Sequence, residues 1–505
     1  PTGVMAWRGG VLVCAAPDIL FAEDTDGDGK ADRVRKLFEG FATENYQARV
    51  NGLFYAMDNW VYGANGLIGG SIQGTATGRV VNIGGRDFRI RPDSGAFEAA
   101  AGLTQQGRTQ DDWGNQFGGN NSILIQHYPF PDHYARRNPR VASPNPSVSI
   151  PQGPDHTRLF PTSQTLARYN EPESANHVTS ACSPMIYRDT LLGADLYGNA
   201  FTCEPVHNLV HREVLTPVGI TFKGHRAANE QTSEFLSSTD NWFRPVQVRT
   251  GPDGAIWVVD MYRFVIEHPR WIDPARLAHL DVRAGDDKGR IYRIVPVDRP
   301  LRKIPTLNRL STRELAGELE SPNGTLRDMV QCQLANRGDR QAIPVLADLA
   351  IRGKLPQTRL QSLCTLDALG GLTGDLIETA INDPHPGVRR HAIRLAEPWF
   401  DRDPRIGPGV SKHTDDPDPT VRFQVALSLG AWNNPAVARP LVALALRPPV
   451  DSWTLAAVLS SATPQSDRIL QEALEMQAPP ELRMRLIVPL IATIAGLRER
   501  DIGKL

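Results

Sequence analysis

The sequence predicts a two-part protein, an all-β six-bladed propeller followed by an all-α solenoid. Three observations carry this prediction: turn-separated hydrophobic runs before about residue 300, helical periodicity after it, and a length of 505 residues. A single hydrophobic core stops growing at roughly 250 to 300 residues, so a chain of this length needs at least two units. We place the propeller at residues 1–300 and the solenoid at residues 301–505.

The propeller prediction depends on repeated strand and turn signals. Short runs rich in Val, Ile, Tyr, Phe and Trp alternate with DG, GG, SG and DN turns, which indicates many short antiparallel strands. VNGLFYAMDNWVYGANG and VQVRTGPDGAIWVVDMYR share one outline, an apolar strand, a tight turn and an aromatic-bearing strand. Such units recur at roughly 40 to 60 residues, a spacing typical of propeller blades. Six blades are predicted, with room for part of one blade to be missing.

Helical repeats replace the strand signals after about residue 305. DPHPGVRRHAIRLAE and DPDPTVRFQVALSLG superpose with Val388 on Val421, a shift of 33 residues. Each helix follows Asp/Pro turn chemistry and carries an apolar stripe, so stacked repeats similar to HEAT repeats are predicted. An arginine recurs at the matching position of four segments: Arg327, Arg359, Arg389 and Arg422.

Composition excludes several partners. The formal net charge is −1 and the chain has no Lys/Arg block, so neither nucleic acid nor an anionic membrane is expected to bind. The longest apolar run, at 486–497, has 12 residues and falls short of the roughly 20 needed to span a bilayer. The chain opens on PTGVMAWRGG, which reads as the middle of a strand pair, as expected for a fragment or a processed form. The lack of a visible leader therefore does not argue against export.

The segment DTDGDGKAD, residues 24–32, has the spacing of a calcium-binding loop. Side chains at positions 1, 3 and 5, a glycine at 6, a carbonyl at 7 and a ligand at 9 are the usual pattern of such loops. Position 12 carries Arg35 in place of the bidentate glutamate, which favours a fixed structural ion over a sensor. The alternative is an Asp/Gly-rich hairpin turn with solvated carboxylates. The predicted ligands are Asp24, Asp26, Asp28, Lys30 and Asp32.

The five cysteines form no CxxC or CxxCH motif, so the chain encodes neither a zinc ribbon nor a covalently attached haem. Cys182 and Cys203 share one loop-rich segment and could form a disulfide in an oxidising compartment. Two buried free thiols are the alternative.

Several segments together resemble a known family. APDILFAEDTDGDGKAD, QARVNGLFYAMDNWVYGANG, GRTQDDWGNQFGGNNS, FTCEPVHNLVHR and STDNWFRPVQVRTGPDGAIWVVDMYR resemble the membrane-bound dehydrogenase proteins of planctomycetes and verrucomicrobia. Their propeller is related to soluble quinoprotein glucose and sorbosone dehydrogenases. The resemblance covers roughly residues 2–296. It implies an exported protein, periplasmic or at the cell surface.

The resemblance also implies chemistry at a polar pocket on the propeller axis. Pyrroloquinoline quinone would be held there by calcium and basic side chains, and would accept hydride from a sugar or polyol while a base takes the hydroxyl proton. In the sugar dehydrogenases that base is a histidine before a strand of the GRL type. The equivalent segment here, QARVNGL, has Ala48 and Arg49 at that place.

Six residues are therefore predicted to converge on this axial pocket. His207, His268 and Asp260 are the catalytic candidates, and a structural role in which a histidine bonds a backbone carbonyl is the alternative. The cofactor-binding candidates are Arg49, Asn51 and Arg244. For Arg244, a salt bridge to Asp240 or Asp260 is the alternative role.

Two functions follow. The first is a calcium-containing, quinone-dependent oxidoreductase that acts on a carbohydrate or polyol and passes electrons to a separate acceptor such as a cytochrome. The second is a non-enzymatic propeller and solenoid module that binds glycan or protein at the cell surface, with the solenoid available to a protein partner. Fold class does not separate them, because propellers host both.

Overall fold

A computed structural model describes residues 1–165, 175–449 and 451–502. The chain divides into two compact units. The sheet unit comprises residues 1–129, 147–310 and 321–336, and the helical unit comprises residues 130–146, 311–320 and 337–505.

Antiparallel strands build the sheet unit. In chain order they are β1 (Gly3–Trp7), β2 (Gly10–Ala15), β3 (Asp18–Glu23), β4 (Arg33–Phe41), β5 (Asn51–Tyr55), β6 (Val61–Ala64), β7 (Gly70–Gly74), β8 (Val80–Asn82), β9 (Asp87–Arg91), β10 (Ala96–Ala100), β11 (Thr109–Gln110), β12 (Gln116–Asn120), β13 (Ile123–His127), β14 (Val148–Ser149), β15 (Cys182–Ile186), β16 (Ala200–Glu204), β17 (Leu209–Val218), β18 (Thr221–His225), β19 (Leu236–Ser237), β20 (Pro245–Thr250), β21 (Ile256–Asp260) and β22 (Arg290–Ile294).

Within the described residues these strands form five sheets. Their strand orders are β1-β2-β3-β4-β7-β8, β10-β9-β6-β5, β11-β12-β13-β14, β15-β16-β17-β18 with β19 on β17, and β20-β21-β22. The many antiparallel sheets of the N-terminal part are thus confirmed, while the number of six blades stays a prediction.

The DG and DN turns predicted from the sequence close real hairpins. β20 and β21 pair with Val248 opposite Val258, and the turn between them contains Gly254 at a φ of 87°. Only glycine adopts that backbone conformation without strain, so this turn needs it. The alternating pattern of β20 buries Val248 in the core beside Phe201 and Phe243.

Strands of neighbouring sheets pack against one another. β1 packs beside β5, and β15 packs beside both β11 and β20. We call these five the inner strands. Aromatic side chains fill the space between the first two sheets, with Phe38, Phe41, Phe88 and Phe97 in mutual ring contact.

The helices are α1 (Asp132–Ala135), α2 (Pro274–Leu277), α3 (Thr312–Gly317), α4 (Gly324–Arg337), α5 (Ile343–Arg352), α6 (Pro356–Ala368), α7 (Gly374–Ala380), α8 (Pro386–Leu395), α9 (Ile406–Ser411), α10 (Pro419–Ser428), α11 (Ala438–Leu446), α12 (Ser452–Ser461), α13 (Ser466–Glu475) and α14 (Pro480–Ile502). Among the described residues, none of these helices is both long and apolar enough to cross a membrane.

The helical unit stacks its helices in two layers. α6, α8, α10 and α12 contact one another in sequence, and α5, α7 and α9 form the other layer. α6, α8 and α10 each begin with a proline, which lacks the N–H group that the first turn would leave unpaired. Val388 and Val421, the residues superposed in the repeat alignment, are both fully buried. The predicted helical repeats are confirmed.

Candidate functional site

Two cavities of the sheet unit lie at opposite ends of the inner strands. β15 contributes Cys182 to one cavity and Met185 to the other, and β20 contributes Val246 to the first and Arg249 to the second. The first cavity has a volume of about 380 Å³. We call it the amide cavity, because Gln47, Gln105, Gln106 and Asn121 belong to its wall.

Hydroxyl groups, one aromatic ring, one carboxylate and several apolar side chains complete the wall of the amide cavity. The remaining lining residues are Tyr46, Thr179, Ser180, Ala181, Cys182, Pro205, Val206, Val246, Met261, Ile266 and Glu267. Among the described residues no lysine or arginine lines this cavity. Amide and hydroxyl groups donate and accept hydrogen bonds at once, so the wall suits a neutral ligand rich in hydroxyl groups.

Tyr46 links two of the predicted site residues at the cavity. Its ring stacks on His268 with a centroid distance of 5.0 Å and an interplanar angle of 5°. The guanidinium carbon of Arg49 lies 4.3 Å from the same ring centroid. Tyr46 as a whole residue keeps 61% of its surface exposed, so it remains accessible beside these two contacts.

Arg244 holds together two of the loops that line the cavity. Its guanidinium group donates hydrogen bonds to the carbonyl oxygens of Pro205 and Val206 in one loop and of Arg263 and Phe264 in the next. Asp260 fixes the start of β20, because its Oδ1 accepts the backbone N–H of Arg244 at 2.8 Å. A buried arginine engaged in this way positions the backbone around it.

His207 is similarly engaged behind the cavity wall. Its Nδ1 lies 2.8 Å from Oε2 of Glu204, and its Nε2 accepts the backbone N–H of Asn176 at 2.9 Å. The other carboxylate oxygen of Glu204 accepts the backbone N–H groups of Thr179 and Ser180, which line the cavity. Because the Nε2 lone pair is in use, the geometry supports a positioning role for His207.

Asn51 supports the third loop. Its side-chain nitrogen donates to the carbonyl oxygens of Arg49 and Gln105, and its side-chain oxygen accepts the backbone N–H of Gly107. The side-chain amide of the intervening Gln106 makes no hydrogen bond within the described part of the chain, so it is available to a ligand.

The six predicted residues thus surround one cavity without lining it. Tyr46, Gln105, Gln106 and Glu267 are among the lining residues that the sequence did not single out. Their place in the sequence could have identified them, because YQAR and TQQGR come just before inner strands and EH comes after β21. The catalytic and cofactor-binding roles assigned from the sequence stay predictions.

The aspartate loop brings three of its five predicted ligands together. Carboxylate oxygens of Asp24, Asp26 and Asp28 all lie within 4.8 Å of one another on the surface. Hydrogen bonds from the backbone N–H groups of Gly29 and Gly27 lower the pKa of Asp24. This donor set of three carboxylates fits a hard divalent cation such as calcium.

The other two predicted ligands take part in hydrogen bonds of the turn. Asp32 directs Oδ2 to the backbone N–H and hydroxyl group of Thr25, at 2.7 and 2.8 Å. Lys30 donates its backbone N–H to the side chain of Asp28. These hydrogen bonds shape the turn that holds the three converging carboxylates.

The predicted disulfide between Cys182 and Cys203 is wrong. The two residues lie directly opposite each other on β15 and β16, yet both are buried free thiols, which confirms the alternative. The Cys182 thiol points towards the carbonyl oxygen of Val246 on β20, 3.7 Å away. Burial raises the pKa of Cys182 to about 12, so the thiolate needed for disulfide exchange is disfavoured.

Comparisons with known proteins add two family matches. The family described as Domain of unknown function (DUF7133) matches residues 1–298. HEAT repeats match residues 373–462, which contain α7 to α12. No curated protein matches the sequence.

Similar solved structures include two enzymes. A luciferin-regenerating enzyme is 9% identical with a TM-score of 0.32, and the match covers 60% of this chain and 79% of that one. A glucose dehydrogenase is 13% identical with a TM-score of 0.29, and the match covers 51% of this chain and 76% of that one.

Proposed function

The chain belongs to the family described as Domain of unknown function (DUF7133), and we propose that it binds a neutral carbohydrate or polyol in the amide cavity. The observation that carries the proposal is the chemistry of the wall, in which amides and hydroxyl groups meet an exposed tyrosine ring without a cationic side chain among the described residues. A sugar offers hydroxyl groups to the amides and C–H groups to the ring. A volume of about 380 Å³ accommodates one small ligand.

Oxidation of the bound hydroxyl group is a second candidate, favoured by Glu267. This residue supplies the carboxylate of the wall, which would take the hydroxyl proton while a separate two-electron acceptor of the quinone class takes the hydride, so that the alcohol carbon becomes a carbonyl carbon. The electrons would then pass to a separate redox partner such as a cytochrome.

The wall does not fit pyrroloquinoline quinone. This cofactor carries several carboxylates, which require cationic partners, whereas Glu267 repels them. Arg244 is engaged with four carbonyl oxygens, and Arg49 packs on Tyr46 outside the lining. We therefore derive no step through this quinone.

Calcium fits the aspartate loop, with Asp24, Asp26 and Asp28 as the residues that would hold it. The ion would neutralise these carboxylates and stabilise the loop between β3 and β4. An exposed site of this kind binds calcium weakly and suits the millimolar calcium found outside cells, so we also propose an exported location.

We further propose that the five sheets belong to a six-bladed propeller that lacks part of a blade. The helical repeats would offer a docking surface to a protein partner.

Isothermal titration calorimetry with neutral monosaccharides and polyols tests the binding. We expect Gln106→Leu to weaken binding about tenfold, because a buried sugar hydroxyl then loses its partner. Gln341→Leu, at an exposed position of the helical unit, is the matched control and should bind like the wild type. Equal affinities of all three proteins, or no heat from any sugar, would contradict the proposal.

Dye reduction separates the two candidates. The wild-type protein is incubated with calcium, pyrroloquinoline quinone, a binding sugar and a redox dye. We expect no sugar-dependent reduction. Reduction that requires the quinone and is lost in Glu267→Gln would instead assign the cavity to oxidation.

A further inference from the structure

The second cavity of the sheet unit, at the other end of the inner strands, has a volume of about 820 Å³. We call it the arginine cavity, because Arg8, Arg108, Arg188 and Arg249 belong to its wall. β5 and β15 present their ends to it, and one side of α4 closes part of it. Its volume lies in the range of sites for small organic ligands.

Three of the four arginines have carboxylate partners within the wall or directly behind it. Arg8 pairs with Asp93 at 2.8 Å, and Arg108 pairs with the buried Asp87 at 2.6 Å. Arg188 bridges two carboxylates, those of Asp112 and Asp328, at 2.7 and 2.5 Å. Each of these positive charges is therefore compensated by the protein.

Arg249 differs from the other three arginines. Its Nη1 donates to the hydroxyl oxygen of Ser183 and to the carbonyl oxygen of Val248, both at 3.0 Å. Within the described residues no carboxylate lies at ion-pair distance from Arg249, and its Nε and Nη2 make no hydrogen bond. Burial lowers the pKa of its guanidinium group, a sign that the charge is poorly solvated. A partly buried cation without a counter-ion is stabilised by an anion from solution, and the cavity gives such an anion access to Arg249.

The rest of the wall is largely apolar. Met5, Leu53 and Phe54 come from two inner strands, Ile186 ends a third, and Met329 faces the cavity from α4. Methionine side chains adapt their shape to different ligands at little cost. A ligand that fills this space therefore needs an apolar body as well as a negative group.

We propose that the arginine cavity binds a small organic anion, with one carboxylate-type or sulfonate-type group on Arg249 and an apolar body against the methionines. Because Arg249 is a single positive charge without a carboxylate partner among the described residues, a ligand with a single negative charge balances it. The free Nε and Nη2 offer the two parallel donors that a planar or tetrahedral oxyanion accepts. This site is separate from the amide cavity and independent of the function proposed there.

A pair of fluorescent probes isolates the charge. 8-Anilinonaphthalene-1-sulfonate carries one sulfonate, and N-phenyl-1-naphthylamine has the same aromatic skeleton without it. The full chain is titrated with each probe at low ionic strength. We expect Arg249→Gln to weaken binding of the sulfonate probe at least about tenfold, because hydrogen bonds to a charged group are lost, and to leave the neutral probe unchanged. Arg79→Gln, at an exposed arginine, is the matched control.

A second variant keeps the test valid if Arg249→Gln does not fold. Met329 is 42% exposed on α4, so Met329→Glu should fold and place a negative charge in the wall. We expect Met329→Glu to lower the affinity for the sulfonate probe at least about fivefold by like-charge repulsion, and to lower the affinity for the neutral probe less. If the folded variants bind the sulfonate probe as tightly as the wild type, or if both probes lose affinity equally, the proposal is overturned.

Discussion

Glu204 is the residue on which one side of the amide cavity depends. It is fully buried, and its two carboxylate oxygens accept hydrogen bonds from the backbone of Thr179 and Ser180 and from the ring and backbone of His207. Burial alone would raise its pKa, but the hydrogen bonds from His207 and the two N–H groups lower the pKa of Glu204 below its usual 4.5. The ionised form is therefore preferred in the folded protein.

We expect Glu204→Gln to lower the free energy of unfolding at pH 7 by about 2 kcal/mol, because charge-assisted hydrogen bonds are lost. A carboxylate with a lowered folded pKa stabilises above its unfolded pKa, and this contribution disappears as pH falls through the folded value. The difference between wild type and variant should therefore shrink below pH 4.5. Urea denaturation at pH 7 and near pH 4 measures it, with the exposed Glu481→Gln as control. A constant difference at both pH values would contradict this role.

The sequence predicted residues that surround the amide cavity, but it did not predict Tyr46, Gln106 or Glu267 in the cavity wall. Arg244 and Asp260 were recognisable because they flank strands that point towards the cavity. The engagement of His207 depends on the backbone of Asn176, which lies 31 residues away and reaches it only in the folded chain. The availability of Gln106 is likewise a tertiary property, since its segment shows no polarity that distinguishes it from other loops.

At the scale of elements, one arginine interaction recurs along the repeats. Arg327, Arg359, Arg389 and Arg422 each donate through Nη1 to the carbonyl oxygen six residues earlier. This hydrogen bond ties each helix to the turn before it. Two of these arginines also form bidentate ion pairs with the following repeat, Arg359 with Asp383 and Arg389 with Asp416.

We expect Arg389→Gln to destabilise the helical unit by about 3 kcal/mol, because the buried Asp416 then loses its bidentate cationic partner and keeps only His413 and the backbone N–H of Asp418. Arg389→Lys should recover only part of this loss, since lysine lacks the planar two-donor geometry. Thermal denaturation followed by circular dichroism measures both. Arg352→Gln removes an exposed pair with Asp348 and should change stability by less than about 0.5 kcal/mol. Similar effects of Arg352→Gln and Arg389→Gln would refute the proposed difference.

Element types were predictable here, but element partners were not. The 33-residue shift and the Asp/Pro turns identified the repeats because helix starts are encoded locally. Residues 321–336 share the repeat pattern, yet their contacts place them in the sheet unit, where Asn323 donates to Asp189. Cys182 and Cys203 prove to be directly opposite each other on neighbouring strands, a pairing that the sequence does not specify, and both thiols are free.

At the scale of the whole molecule, calcium is expected to act through linkage. Three converging carboxylates repel one another unless a cation lies among them, so an ion that binds the folded loop stabilises the fold. We expect removal of calcium with a chelator to lower the melting temperature of the wild type by at least about 2 °C. Differential scanning calorimetry with and without calcium measures this shift.

Two variants provide the comparison for calcium. Asp26→Asn removes one of the converging carboxylates and should abolish the shift, whereas the exposed Asp298→Asn should keep it. If the melting temperature of the wild type is the same with and without calcium, residues 24–32 form an ordinary turn and the calcium prediction is wrong.

The central claim is that a neutral hydroxyl-rich ligand occupies the amide cavity, and a crystal structure with the tightest-binding sugar tests it most directly. We expect electron density for the sugar beside the ring of Tyr46, with hydroxyl groups in hydrogen-bond contact with Gln106 and Glu267. Density for the sugar only at another surface, with the amide cavity filled by water at saturating sugar, would contradict the claim.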